Sequence, residues 1–273
     1  MTRTATARTF LFVPGDRPDR FGKAAAAGAD VVVLDLEDAV SAEQKRDARE
    51  HVRTWLGQGN RAVVRINGDG TRWHADDVAM LADHPEQLPA VMVPKAESPE
   101  RLAGMSQALP RGTGIIPLVE TAAGVLRAAA VCAVPGVVRP AFGSVDLAAQ
   151  LGVDHRSHAA LQHARSALVL GAVAAGCAAP VDGVTTDIAD DVSLYADLAH
   201  AVAVGFTGKL CIHPRQVAPA NLRLAPSDAE ITWARRVVAA GRENAVSARD
   251  GEMIDRPVVL RAEAILARAA EPE

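Results

Sequence analysis

The residues of this chain best suited to do chemistry are carboxylates at the ends of apolar runs. In "VVVLDLEDAV", residues 31–40, four apolar residues lead directly into Asp35, Glu37 and Asp38. Like charges packed at the edge of a core repel one another unless a cation, an arginine or a substrate proton compensates them. In the plainer alternative, Asp38 caps a following helix and the others face water. Glu120 closes "GIIPLVE", and Asp146 follows "AFGS". These two could converge on one hard cation, since Mg2+ is commonly held by one or two carboxylates with substrate oxygens and waters. The alternative for them is again capping, of helices beginning "TAAGVL" and "LAAQLG".

Cationic side chains end other runs. Arg65 stands in "RAVVRIN", and its guanidinium offers a fixed fork for a carboxylate or a developing enolate oxygen. An ion pair with Asp35 or Glu37 is the alternative, and it would also hold the arginine in place. Lys95 closes "AVMVPK". A lysine there could form a Schiff base with a keto substrate, although Glu97 just beyond would tend to keep it charged. His213 could ligate a metal, but a His-Pro pair after a strand also reads as a hydrogen-bonded turn. Lys209 begins its run and reads as structural.

Such residues act together only if the backbone brings them to one place. Short apolar runs alternate with amphipathic stretches such as "AEQKRDAREHVRTWL" eight times along the chain. Strands apolar on both faces and separated by helices imply a parallel sheet with crossover helices. Eight units predict a closed (β/α)8 TIM barrel, in which chemistry sits at the C-terminal ends of the strands. An open doubly wound sheet is the competing fold, but its GxGxxG after the first strand is absent. The barrel is expected over residues 1–225. Residues 226–273 read as a C-terminal helical appendage that packs on the barrel or on a neighbouring subunit.

Composition narrows the function further. The 273 residues carry a net charge of −4, which argues against nucleic acid or an anionic membrane as partner. Cys132, Cys177 and Cys211 lack CxxC spacing, so neither zinc nor a disulfide framework is indicated. No signal peptide and no membrane-spanning run is evident, and a cytoplasmic location is expected.

The ordered pieces "FVPGDRP", "DLEDAV…K..AR", "VRIN….TRWHADDV", "VPKAES", "IIPLVETAAGV", "AFGSVDLAAQLG", "GKLCIHP" and "GEMIDRPVVLRAE" cover residues 12 to 263. In them the chain resembles the citrate lyase β-subunit-like (CitE-like) branch of the HpcH/HpaI aldolase superfamily, and malyl-CoA and citramalyl-CoA lyases as well. The resemblance implies a homo-oligomer, a trimer by preference, that uses Mg2+. It implies Glu120 and Asp146 as metal ligands and Arg65 as the group that binds the substrate's carboxylate or keto-acid end. The backbone of Gly143, Ser144, Val145 and Asp146 would contact the same group. Asp255 would be an acid–base residue delivered into a neighbouring subunit's site, with Glu37 a supporting carboxylate near Arg65. Val145 and Gln150 depart from the family pattern, where acidic residues are frequent.

The expected reaction is reversible cleavage of a carboxylated β-hydroxyacyl-CoA, of citramalyl-CoA or malyl-CoA type, to acetyl-CoA and a 2-keto acid. Thioester hydrolysis is a related outcome. The alternative is a citrate lyase β subunit cleaving citryl-acyl carrier protein, which α and γ subunit genes beside this one would favour. A non-catalytic binding barrel is the third reading, and it conflicts with every implied position being filled.

Overall fold

The computed structural model describes residues 3–243, 247–249 and 252–269. Eight parallel strands close a barrel: β1 (Thr9–Pro14), β2 (Val31–Asp35), β3 (Val63–Arg65), β4 (Ala90–Val93), β5 (Gly114–Val119), β6 (Ala141–Phe142), β7 (Val181–Asp182) and β8 (Gly208–Cys211). Helices fill the crossovers, among them Lys45–Gly57, His74–Ala82, Pro99–Ala108 and His158–Ala175. The (β/α)8 expectation therefore holds, and each strand falls within its apolar run.

Alternation along the strands explains how the site is aimed. Phe10, Val31, Val33, Val63, Met92, Ile116 and Leu118 form one buried cluster with residues from β6, β7 and β8. Side chains two apart share a face of a strand. The inward row Val31–Val33 therefore continues to Asp35, Val63 to Arg65, and Ile116–Leu118 to Glu120. The polar rim is the last layer of the barrel interior, stacked on apolar layers that exclude water. Each fully buried large side chain below it contributes roughly 1.5–3 kcal/mol.

The opposite mouth is closed by Arg139, fully buried, which donates to the carbonyls of Ala7 (2.7 Å) and Ala179 (2.9 Å) and to Thr207 Oγ1 (2.9 Å). Lys209 is also buried and pairs with Asp182 at 3.4 Å, in keeping with a structural part.

The chain divides into two compact units, Met1–Asn221 and Leu222–Glu273. In the second unit, helices Asp228–Glu243 and Arg256–Ala269 bury Ala234, Val237, Ala240, Ile254, Ala262 and Ile265 together. An antiparallel pair, β9 (Ser247–Arg249) and β10 (Glu252–Ile254), lies between them in sequence. The helical appendage expected over residues 226–273 did not include this strand pair. Asp250 and Gly251, between its strands, lie outside the described residues. Among the described residues no helix is long and apolar enough to cross a membrane.

Candidate active site

The question raised by "DLED" is answered by β3. Asp35 and Arg65 are register partners on adjacent strands, so their inward side chains lie side by side. Arg65 Nε and Nη2 donate to the two oxygens of Asp35 at 2.7 and 2.5 Å, and Nη1 lies 2.9 Å from Glu37 Oε2. The guanidinium also stacks over the Phe12 ring, 5.0 Å from its centroid. Asp35 further accepts the backbone N–H groups of Glu37 (2.9 Å) and Ala39 (3.1 Å). Asp35 thus ties down the turn. Asp38 does not cap: the next helix starts at Lys45, with Gln44 in the cap position.

Capping is likewise ruled out for Glu120 and Asp146. Thr121 caps the helix Ala122–Leu126, and the cap position of the helix Ser144–Leu151 is Gly143. Glu120 Oε1 instead accepts the backbone N–H of Lys95 at 2.8 Å. The Lys95 ammonium lies 2.7 Å from Glu37, 3.8 Å from Glu120, and 4.0 Å from both Asp38 and Asp146. Glu97, the partner anticipated for this lysine, accepts from Thr121 Oγ1 instead. Gly143 leaves the room Glu120 needs, since a Cβ there would overlap the Glu120 side chain.

A cavity of about 210 Å3 lies on this rim. Arg65, Glu120, Asp38, Gly143, Ser144, Val145 and Asp146 line it, together with apolar Phe12, Leu118 and Leu210. The structure therefore brings together Glu37, Arg65, Glu120 and residues 143–146. His213 stands apart as a turn: its Nδ1 accepts the Arg215 N–H at 3.2 Å. Asp255 belongs to the second unit, where its carboxyl accepts the Val258 N–H (3.2 Å) at the start of the helix Arg256–Ala269.

Charge is out of balance here. Five carboxylates (Asp35, Glu37, Asp38, Glu120 and Asp146) meet Arg65 and Lys95, plus the buried Lys45 below. Burial, reinforced by Glu37 and Asp146, pushes the Glu120 carboxyl up to about 8 in spite of Lys95. Burial also raises Glu37, against Arg65 and Lys95, and its Oε2 lacks a partner in hydrogen-bond geometry. Among the described residues no three His, Cys, Asp or Glu side chains form a metal cage by themselves. Two carboxylates on a strongly negative rim are nevertheless a donor set suited to a hard, largely hydrated cation.

The raised Glu120 value has a measurable consequence. A carboxyl titrating near 8 when folded and near 4.5 when unfolded holds an extra proton in the folded state between those values. Stability must then fall as pH rises through that window, by up to about 1.4 kcal/mol per pH unit. In chelator, Tm should drop between about pH 5 and about pH 8 as Glu120 gives up its proton. Glu120→Gln, neutral throughout, should flatten that slope in a fluorimetric melt. An unaltered slope would assign the pH dependence to other groups.

Several supporting residues carried little mark in the sequence. Lys45 Nζ donates to the carbonyls of Leu36 (2.8 Å) and Glu37 (2.7 Å) and lies over the Trp73 ring. Arg49, one helical turn on, donates to Asp77 at 2.8 Å, and Asp77 holds Asn67 by both its backbone and side-chain nitrogens. The four-residue spacing of Lys45 and Arg49, on one helix face, was the available clue. Gln150 Oε1 accepts the Ala122 N–H at 2.7 Å, a task a carboxylate would perform equally, so this departure keeps the helix start satisfied.

Known proteins share this organisation. Residues 8–214 match the model of the HpcH/HpaI aldolase/citrate lyase family. A citrate lyase subunit beta-like protein of Mycobacterium tuberculosis is 42% identical over 99% of this chain and 98% of its own length. A (3S)-malyl-CoA thioesterase of Cereibacter sphaeroides is 34% identical, covering 96% of this chain and 94% of that protein. The crystal structure of the Mycobacterium tuberculosis protein CitE in complex with magnesium, acetoacetate and coenzyme A superposes with a TM-score of 0.82. It is 40% identical, over 98% of this chain and 100% of that one.

Proposed function

Since this chain belongs to the HpcH/HpaI aldolase/citrate lyase family, we propose that it is a Mg2+-dependent carbon–carbon lyase of acyl-CoA thioesters. Its substrates are carboxylated β-hydroxyacyl-CoA compounds of citramalyl-CoA or malyl-CoA type, cleaved reversibly to acetyl-CoA and a 2-keto acid. One observation carries this reading. The Lys95 ammonium lies within 4.0 Å of Glu37, Glu120 and Asp146, and Glu120 and Asp146 line a cavity together with Arg65.

Glu120 and Asp146 would hold the metal, with Glu37 beside it. When bound, a divalent cation supplies Lewis-acid polarisation of the oxygen that becomes the keto group. Arg65, fixed by Asp35 and Glu37, presents its remaining N–H groups to the keto acid's carboxylate. The N-terminal end of the helix Ser144–Leu151, at the cavity wall, favours the same negative charge. Asp255 takes the hydroxyl proton as the carbon–carbon bond breaks, and the electron pair of that bond becomes the enolate of acetyl-CoA. The assembly is a homo-oligomer, a trimer by preference, in which Asp255 serves a neighbouring barrel. Similarity to a malyl-CoA thioesterase supports hydrolysis as a further outcome at the same site.

The test is direct. Titration calorimetry should show Mg2+ binding to the wild type, and Asp146→Asn should weaken it by about 10- to 100-fold, since a neutral amide oxygen replaces a charged carboxylate. Acyl-CoA thioesters incubated with the wild type should release 2-keto acid. Release of the hydroxy acid alone would identify a thioesterase, and unchanged Mg2+ binding in Asp146→Asn would remove that residue from the site.

A further inference from the structure

Lys95 is the one non-glycine residue among those described that adopts a left-handed backbone, at φ 50°. That conformation costs an L-residue roughly 1 kcal/mol and persists where the surroundings impose it. Here it lets one residue serve the cluster twice. Its backbone N–H binds Glu120, and its side chain turns back over the rim to place the ammonium among Glu37, Asp38, Glu120 and Asp146. Only the Glu37 contact is a close hydrogen bond; the other three lie at 3.8–4.0 Å, as around a shared charge. The side chain is half-exposed, and it also lines a larger groove of about 760 Å3 beside the helices His74–Ala82 and Pro99–Ala108, so it has space to swing into.

We propose that the Lys95 ammonium is a built-in, displaceable counter-ion. It neutralises the carboxylate cluster in the metal-free protein, and on metal binding it withdraws from Glu120 and Asp146 toward Glu37 and the groove. This rests on the reading of Glu120 and Asp146 as the metal site. A cluster of like charges without a compensating cation would be unstable when folded, so the lysine keeps the site assembled while empty. The same contact makes the site bind metal more weakly than its carboxylates alone would, which keeps the cation exchangeable.

Lysine-selective acylation, read by peptide mass spectrometry, reports this displacement on the unmodified protein. The chain holds four lysines; Lys45 and Lys209 are buried, and exposed Lys23 is an internal control. Saturating Mg2+ should raise the labelling rate of Lys95 relative to Lys23 about three-fold or more. Lys95→Met should bind Mg2+ at least about ten-fold more tightly by calorimetry and show a lower Tm in chelator, restored by Mg2+. If wild type binds Mg2+ while Lys95 labelling is unchanged or slowed, displacement is wrong and the metal reading stands. Equal Mg2+ affinity in wild type and Lys95→Met would likewise overturn the counter-ion role alone. Absence of Mg2+ binding in both proteins would overturn the metal reading and this inference with it.

Discussion

Asp255→Ser is expected to abolish carbon–carbon cleavage while leaving the fold and the binding of Mg2+ and keto acid intact. The choice of serine follows from the structure. Asp255 accepts the Val258 N–H at the start of the helix Arg256–Ala269, so alanine would remove a helix cap worth about 1 kcal/mol together with the carboxylate. Serine caps nearly as well but cannot act as a general base near neutral pH. A loss of about 10²–10⁴-fold in kcat is the expectation for removing such a group. Tm should stay near the wild-type value, whereas Asp255→Ala should lower it. If Asp255 serves a neighbouring barrel, Asp255→Ser protomers mixed with Asp146→Asn protomers should recover partial activity once hetero-oligomers are demonstrated. Confirmed mixed oligomers without activity would restrict Asp255 to its own chain. Full activity of Asp255→Ser would end its catalytic role.

Arg65→Ala should be the most damaging change within the barrel. Arg65 is the partner of buried Asp35 and of Glu37, and removing one member of a buried pair costs about 3–5 kcal/mol. In the proposed role Arg65 is also the donor for the substrate carboxylate, and its removal would then cost about 10²–10³-fold in rate. Those two effects must be separated. Arg65→Lys retains the charge; burial works against protonation at this position, but the carboxylates of Asp35 and Glu37 outweigh it and keep the native guanidinium firmly protonated. An ammonium cannot reproduce the two-pronged bond to Asp35 and still reach Glu37 and a substrate. The lysine variant should lose at least ~10-fold in kcat/KM, because one charge-assisted hydrogen bond is worth roughly 1.5–3 kcal/mol. A lowered Tm with a near-normal kcat/KM would show that Arg65 only holds the strand-two carboxylates in place.

The barrel and the membership of its rim were legible without coordinates, for a definite reason. In a parallel barrel every strand runs the same way, so any polar residue that ends an apolar run arrives at one mouth. Asp35, Arg65, Lys95, Glu120 and Asp146 were all found this way. Alternation even fixes which of them face inward, since Asp35, Arg65 and Glu120 each sit two residues beyond an inward apolar side chain.

The ion pair of Arg65 with Asp35 and Glu37 was among the readings of the sequence, but the other partnerships on that rim were decided by tertiary structure. The lysine pairs with Glu37, 58 residues away, rather than with Glu97 two residues on. Its backbone binds Glu120 across 25 residues and forces the left-handed turn. The tether of the "DLED" turn is Asp35, not Asp38, because Arg65 and two backbone N–H groups converge on it. Arg139, a charged residue in an apolar run, closes the far mouth because five carbonyl and hydroxyl oxygens happen to meet there. Such contacts depend on strand stagger and rotamer, which a linear pattern does not encode. Residue type and chain direction determined which groups gather; only packing in three dimensions decided which of them touch.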